Sequence, residues 1–287
     1  MKKFTQEKKP FVKNDKVKNE KIVEKKPIEK VFSPQPPIDE LEDRLEGRNP
    51  IIEALTAGRT FDKILVAKGD REGSILRILA MAKEKGIMIQ EVDRSKLDGM
   101  SVTHAHQGVI AHVAMHHYVT IDEMLQNAKQ NGEVPFLIMV DEVTDPHNLG
   151  SILRSANAAG AHGVIIPKRR AVGLTASVAK ASAGAVEYMP VAKVVNLSQT
   201  IEQLKEQGVW VIAADMDGEQ TYTDADLTGA ICLVVGSEGE GIGQLIKKNC
   251  DFVVSIPMLG QISSLNASVA GALMMYEVVR QRNITKK

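Results

Sequence analysis

The sequence predicts an α/β protein: a larger C-terminal domain with a parallel sheet covered on both faces, preceded by a smaller α/β unit. Two observations carry this reading. Apolar runs of four to six residues alternate with helix-like stretches through the C-terminal half, as in strands buried on both faces. The chain has 287 residues, 44% of them hydrophobic and 25% charged, enough for two domains each with its own core. No run approaches the roughly 18 apolar residues of a membrane span, and no apolar leader segment follows the first lysines. Of the two cysteines, Cys232 lies inside an apolar run and Cys250 follows a helix-like segment, so neither a disulfide framework nor a cysteine metal site is expected. The expectation is a soluble, cytoplasmic protein with no membrane association.

Residues 1–40 read as a disordered basic tail. Positions 1–32 hold eleven lysines against five acidic residues, with no sustained periodicity. The formal net charge of the chain is zero, so this surplus leaves the remainder acidic. Residues 41–117 form the small domain. EDRLEGRNPIIEALTAGR gives a helix with Ile51, Ile52 and Leu55 on one face, ended by Gly58. KILVA is a strand, REGSILRILAMAKEKG a helix closed by Gly86, and IMIQEV and VIAHVAMHH are further strands. Residues 118–133, with the helix-like TIDEMLQNAKQNG, are a linker to the domain at 134–287.

In that domain the order is strand FLIMV, helix LGSILRSANAAG, strand GVIIP, helix LTASVAKASAGAV, helix LSQTIEQLKEQG and strand VWVIAA. Strand AICLVVG, helix GIGQLIKKN, strand FVVSIP and a long helix from SLNASVAGALMMYEVVRQR follow. Ligands of parallel sheets gather at the carboxyl ends of the strands, and three of these ends are chemically unusual.

The first is VTDPHNLGSILR, where Asn148 suits a helix N-cap and Gly150 leaves the turn beside Arg154 bare. The second, LVVGSEGEGIGQ, is a glycine-dense turn with Glu238 at its centre. It matches neither a Walker A loop nor the dinucleotide fingerprint, yet its glycines let a ligand approach bare backbone. The third, SIPMLGQISSLNASVAGALMMYEVV, offers Ser263 or Ser264 as a cap. Ser264, Asn266 and Ser268 crowd the first turns, and Leu265, Val269, Leu273 and Tyr276 continue an apolar face.

Taken in order, NLGSILR, GSEGEGI and IPMLG with SLNASVA resemble the three signature motifs of the SpoU (TrmH-type) branch of the SPOUT RNA methyltransferases. Ala267 stands where valine is more frequent. The unit from GRNPIIEAL to HQGVIAHV resembles the small ribosomal-protein-like RNA-binding domain of the subgroup that methylates a guanosine 2′-hydroxyl of 23S rRNA. The resemblance implies a parallel sheet with a deep C-terminal trefoil knot, S-adenosylmethionine as cofactor, and a homodimer with active sites at its interface. It implies Asn148, Arg154, Glu238, Ser264 and Asn266 as catalytic residues. Gly236, Ile256 and Leu265, then Met258, Gly260 and Ser268, would line the cofactor pocket. A guanidinium is effectively never deprotonated, so Arg154 is expected to clamp the phosphate and the developing alkoxide. Ser264 and Asn266 would orient the hydroxyl, Glu238 would hold loop or base, and Asn148 would support the arginine.

Candidate RNA contacts are Arg48 and Arg59 in the small domain and Lys168, Arg169 and Arg170 after GVIIP. Five histidines, His104, His106, His112, His116 and His117, cluster near the domain boundary without companion cysteines, so no metal site is expected. The alternatives are a tRNA ribose methyltransferase and a non-catalytic RNA-binding or ribosome-assembly protein. A nicotinamide-dependent oxidoreductase is more remote, since the fingerprint glycines are missing from the first strand turn.

Overall fold

The structure is a computed structural model, described for residues 43–69 and 72–285. The basic tail falls outside the described residues.

The small domain is a four-stranded mixed sheet. Strands β1 (Arg44–Glu46), β2 (Phe61–Ala67), β3 (Ile89–Val92) and β4 (Val109–Val113) are ordered β1-β4-β2-β3, with β4 antiparallel to both neighbours and β2 parallel to β3. Helices α1 (Arg48–Ala57), α2 (Ser74–Glu84) and α3 (Arg94–Met100) accompany it. The stretch EDRLEGR does not extend α1. Gly47, at φ 92, breaks the chain between β1 and α1, and Gly58 in the left-handed region closes α1 as expected. Helix α3 had no counterpart in the sequence reading, and its short run RSKLDGM buries only Leu97.

Residues 118–133, read as a linker, carry α4 (Ile121–Gln130). Thr120 and Glu123 form a reciprocal capping box at its start. Its Met124 and Ala128 are buried, and Met124 joins the large domain's core, so the helix packs on that domain.

The large domain has seven parallel strands: β5 (Phe136–Val140), β6 (Gly163–Pro167), β7 (Val191–Val194), β8 (Trp210–Ala214), β9 (Gln220–Thr221), β10 (Ile231–Val235) and β11 (Phe252–Ser255). Their order is β7-β6-β5-β10-β8-β11-β9. Strands β7 and β9 are short and were not foreseen. The helices are α5 (Pro146–Ala158), α6 (Ala176–Ala181), α7 (Leu197–Glu206), α8 (Gln244–Asn249) and α9 (Ala267–Thr285), with a 3-10 turn at Ala185–Glu187.

Strand β5 shows why the sheet needs two covers. Phe136, Ile138 and Val140 join the cluster containing Leu149 and Ile152 of α5 and Met274, Met275 and Val278 of α9. Leu137 and Met139 join Ile201 and Leu204 of α7, Ile246 of α8 and Met124 of α4. Alternate residues of a strand point to opposite faces, so an unbroken apolar run is stable only between two helical layers. The first cluster continues into the small domain through Leu45, Ile51 and Leu55.

At the seam between the two sheets, Arg59 donates to the Glu187 carboxylate at 3.0 Å and to the Ala114 carbonyl at 2.7 Å. Its side chain is only 8% exposed. The Tyr188 hydroxyl donates to Glu53 at 2.9 Å. Burial opposes charge on Glu187, but the His116 hydrogen bond and the Arg59 charge overcome it and hold the carboxyl below its usual range.

Topology also decides where the chemistry meets. After β5 the chain runs outward through β6 and β7, then returns to lay β8 on the other side, with β10 filling the place beside β5. The carboxyl ends of β5 and β10 thus flank the point where the sheet reverses direction, the place where such sheets bind ligands.

Candidate active site

The three unusual strand ends converge. At the end of β5, Pro146 opens α5 and Asp145 is its cap, accepting the His147 N–H at 3.1 Å. Asn148 is therefore not the N-cap. It lies inside the first turn, buried, with its side chain free for other work.

That work is a triangle. Asn148 Nδ2 donates to Glu238 Oε1 at 3.0 Å, Asn266 Nδ2 donates to Asn148 Oδ1 at 2.9 Å, and Asn266 Nδ2 also donates to Glu238 Oε1. The orientation of Asn266 follows from its other end. Its Oδ1 accepts the Ser268 N–H at 3.0 Å, the Ser268 hydroxyl at 2.6 Å and the Val269 N–H at 3.2 Å, so Asn266 caps α9. The helix therefore starts at Ala267, and neither Ser263 nor Ser264 is its cap. Both Nδ2 protons of Asn266 are committed within the triangle. The resemblance implied that Asn266 orients the hydroxyl; in this structure its amide is engaged with Glu238 and Asn148.

Arg154 is not at this cluster. It follows Asn148 by six residues, which turns it about 240° around the α5 axis. Its side chain is exposed and has no hydrogen-bond or ion-pair partner among the described residues, while the Asn148 side chain bonds Glu238 and Asn266. Gly150 also serves a different purpose from the one its spacing implied. A Cβ there would lie 2.4 Å from Ala181 Cβ and 2.8 Å from the Ser182 nitrogen. The glycine lets α6 pack directly on α5.

The turn after β10 folds back on itself, with Ser237 and Gly241 exchanging backbone hydrogen bonds at 3.0 and 3.2 Å. A Cβ on Gly236 would lie 2.2 Å from the Gly241 carbonyl carbon, so only glycine fits. Asp141, at the end of β5, accepts the Gly243 N–H at 2.8 Å and pins the far side of the loop. Burial pushes the Asp141 carboxyl above its ordinary range, with the Gly243 hydrogen bond partly offsetting it.

Between this turn, the loop after β8 and the start of α9 lies a cavity of about 250 Å³. Gly236, Ile256, Met258, Leu265 and Ser264 line it. Gly260 and Ser268 are not among its lining residues, and Ser268 is engaged with Asn266. The Ser264 hydroxyl is exposed and has no partner among the described residues.

Sequence reading missed the polar wall. Asp215, Asp217 and Lys247 line the cavity, with Lys247 Nζ 2.8 Å from Asp215 and 3.2 Å from Asp217. Burial opposes the Lys247 charge, but the two carboxylates win and raise its pKa. The signal was present as DMDG directly after strand β8. Gly218 there passes so close to β11 that a Cβ would lie 2.4 Å from Val254.

Of the candidate RNA contacts, Arg59 is committed to Glu187 and Ala114 in the seam and does not face solvent. Arg48 donates to the Gln107 carbonyl at 3.1 Å. Lys168, Arg169 and Arg170 are exposed just beyond β6. Of the five clustered histidines, His106 bonds Asp98 at 2.8 Å and His116 meets Arg59 at 2.8 Å. Among the described residues no three His, Cys, Asp or Glu side chains are grouped to hold a metal ion.

The apolar face foreseen for the last helix is not buried. Val269 is 47% exposed and Tyr276 52%, and Leu259 and Ile262 in the preceding loop are 98% and 73% exposed. Ala267, Met274, Met275 and Val278 form the buried face instead.

Residues 135–276 match the SpoU rRNA Methylase family, and residues 44–119 match the family of RNA 2′-O ribose methyltransferase substrate-binding domains. YacO of Bacillus subtilis (strain 168), assigned by name to the TrmH family of tRNA/rRNA methyltransferases, is 48% identical over 246 residues, covering 86% of this chain and 98% of that protein. Among solved structures, the SpoU methyltransferase AviRb of Streptomyces viridochromogenes, in complex with the cofactor AdoMet, aligns with a TM-score of 0.70 at 26% identity, covering 84% of this chain and 90% of that one. An RNA 2′-O ribose methyltransferase aligns with a TM-score of 0.69 at 28% identity, covering 87% and 97%. The converging strand ends and a relative alike over almost its whole length agree: this chain belongs to the SpoU/TrmH family of RNA methyltransferases.

Proposed function

We propose that this S-adenosylmethionine-dependent RNA methyltransferase acts on a ribose 2′-hydroxyl, with a guanosine of 23S rRNA as its target, and works as a homodimer. The observation that carries the reading is the Asn148–Glu238–Asn266 triangle beside the cavity lined by Gly236, Ile256 and Ser264.

The residues present fit the cofactor. The Gly236 backbone forms a wall that any Cβ would block, and Val235, Ile256, Met258 and Leu265 supply apolar surface for a flat base. Asp217 and Lys247 give the same cavity a charged side. When bound, S-adenosylmethionine supplies a methyl group on an electrophilic sulfonium.

The remaining task is to prepare a ribose hydroxyl, a poor nucleophile, by orienting it and stabilising negative charge on its oxygen. Ser264, with its uncommitted hydroxyl at the cavity wall, orients the 2′-hydroxyl. Glu238 Oε1 is fixed by the two asparagine amides, which leaves Oε2 without a hydrogen bond among the described residues and available to accept the proton. Arg154 clamps the neighbouring phosphate and the developing alkoxide as a permanent cation.

Arg154 points away from the triangle of its own chain, so in this reading it serves the site of a second copy. The exposed apolar residues Leu259, Ile262, Val269 and Tyr276 lie on the loop and helix that frame the cavity, and their burial against a partner would drive the pairing. The placement of β10 between β5 and β8, with β11 beyond, fits the family's threading of its C-terminal segment into a deep trefoil knot. The small domain is the ribosomal-protein-like RNA-holding module.

The test is transfer of labelled methyl to unmodified 23S rRNA, 16S rRNA and tRNA in parallel, followed by mapping of ribose methylation. Label at a single guanosine ribose of 23S rRNA supports the full reading. Label in tRNA transfers the chemistry to another substrate, and absence of label with the cofactor still binding points to a binding or assembly protein.

A further inference from the structure

Two side chains at neighbouring strand ends hold a backbone conformation that normally belongs to glycine. Glu142, two residues beyond β5, has φ 54, and Arg170, three beyond β6, has φ 57. Left-handed backbone is strained at residues with a Cβ. Strands β5 and β6 are adjacent and parallel, so the two residues meet across their carboxyl ends, and Arg170 Nη1 donates to Glu142 Oε1 at 2.8 Å.

This pair adds little to the fold. The Arg170 side chain is 78% exposed and that of Glu142 41%, and ion pairs this exposed contribute little to stability. The fold therefore keeps two strained residues for a weak surface bond. The loops that carry them are nevertheless well fastened, since the Val172 N–H donates to the Val143 carbonyl at 3.1 Å and the Lys168 N–H to the Val194 carbonyl at 2.7 Å. Lys168 and Arg169 are exposed beside Arg170 and have no partner among the described residues. The Glu142 loop leads within a few residues into α5, which carries Asn148 and Arg154.

We propose that Lys168, Arg169 and Arg170 form a phosphate-binding platform for the RNA backbone at the rim of the active site, and that Glu142 is its gate. This rests on the reading of the protein as an RNA methyltransferase. In free protein Glu142 holds the Arg170 guanidinium in place. A backbone phosphate presents the same paired oxygens with stronger charge and displaces the carboxylate, so Arg170 is already aimed before RNA arrives. Glu142 in turn weakens the binding of polyanions that do not fit the platform, because its own charge must first be set aside.

The experiment is equilibrium binding of a fluorescently labelled 23S rRNA transcript to the full chain over a series of salt concentrations, with cofactor binding measured in parallel. Arg170→Ala and Arg170→Gly are each expected to weaken RNA binding about three- to tenfold. Each should also lower the magnitude of the slope of log K against log salt by about 0.7–0.9, the loss of one phosphate contact. Glu142→Gln is expected to tighten binding about two- to fivefold at low salt, an advantage that fades as salt rises. Arg170→Gly also relieves the backbone strain, so it should unfold at the same or a higher temperature while binding RNA less well. If wild type binds RNA but these variants leave both affinity and salt slope unchanged, the platform is overturned. If Arg170→Ala weakens binding while Glu142→Gln weakens it too, the gate is overturned. Failure of the wild type to bind any RNA would instead overturn the reading on which the proposal rests.

Discussion

Asn148 and Asn266 are 118 residues apart in the chain, yet Asn266 Nδ2 donates to Asn148 Oδ1 at 2.9 Å. The bond joins the first turn of α5 to the cap of α9, and Glu238 accepts from both amides. An amide is suited to this position because it donates at one end and accepts at the other. Asn266 uses its oxygen on the α9 backbone and its nitrogen on the site, so one residue sets both the helix start and the carboxylate.

Asn266→Ala is expected to lower stability by about 1 kcal/mol through loss of the cap. Methyl transfer should fall by more than that loss accounts for, since Glu238 then loses one of its two donors. Asn266→Ser keeps a cap oxygen but removes the amide donor, so it should recover the stability but not the activity. Because Asn148 shares the same network, the Asn148→Ala and Asn266→Ala effects on kcat should be non-additive by about 0.5–3 kcal/mol. Thermal unfolding and single-turnover methylation of the wild type, the three single variants and the Asn148→Ala/Asn266→Ala double variant measure both quantities.

Arg154→Ala should leave folding and cofactor affinity near wild type, since its side chain is exposed and unpartnered among the described residues, while methyl transfer falls by about 10²–10³. Glu238→Gln should also be poorly active. If Arg154 serves a second copy's triangle, a refolded mixture of the two variants contains heterodimers with one intact site. Such a mixture should regain up to about a quarter of wild-type activity. A mixture no more active than its components would place Arg154 in the service of its own chain.

Gly150→Ala should destabilise the protein by about 1–3 kcal/mol, because the added methyl falls 2.4 Å from Ala181 Cβ and 2.8 Å from the Ser182 nitrogen. Backbone cannot swing aside as the end of a long side chain can. Urea unfolding with an unchanged m-value and a lower midpoint is the expected result.

Acid sensitivity should arise in the small domain at Glu46. Its side chain is fully buried and accepts from Ser101 Oγ at 2.7 Å, Val102 N–H at 2.7 Å, and Thr103 N–H and Oγ1 at 3.0 and 2.5 Å. Burial pushes this carboxyl up, but the hydroxyl and N–H donors overcome it and hold it below the usual range. A lowered native pKa gives stability that is present above the unfolded value, about 4.3, and is lost as pH falls through the native one. Glu46→Gln should cost about 1.5–3 kcal/mol at neutral pH and flatten the acid limb of stability measured from pH 7 to pH 3.

Much of this protein was legible in the sequence because its signals are local. Apolar runs of strand length separated by helices specified the parallel sheet, and glycines such as Gly58 and Gly86 marked the turns. The three motif segments also named Asn148, Glu238, Asn266 and the cavity residues Gly236, Ile256 and Leu265 without a structure. Short elements escaped, among them β1, β7, β9 and α3, because two to seven residues carry too little periodicity to distinguish a strand or a short helix from a loop.

The tertiary structure decided what each residue does, because roles depend on partners distant in sequence. Asn148 has the composition of a cap, but Asp145 precedes Pro146 and takes that place, which frees the Asn148 amide for Glu238. Gly150 is spaced as if to clear room for Arg154, whereas the missing Cβ is filled by α6. Arg59 reads as a solvated RNA contact and is instead sealed against Glu187 in the domain seam. Leu265, Val269, Leu273 and Tyr276 have helical apolar spacing whether they face the sheet or a second molecule, and only packing of the opposite face of α9 turns them outward. Sequence periodicity fixes which side chains share a face; which face is buried is settled by the packing of the whole chain, where each apolar surface competes for a limited core.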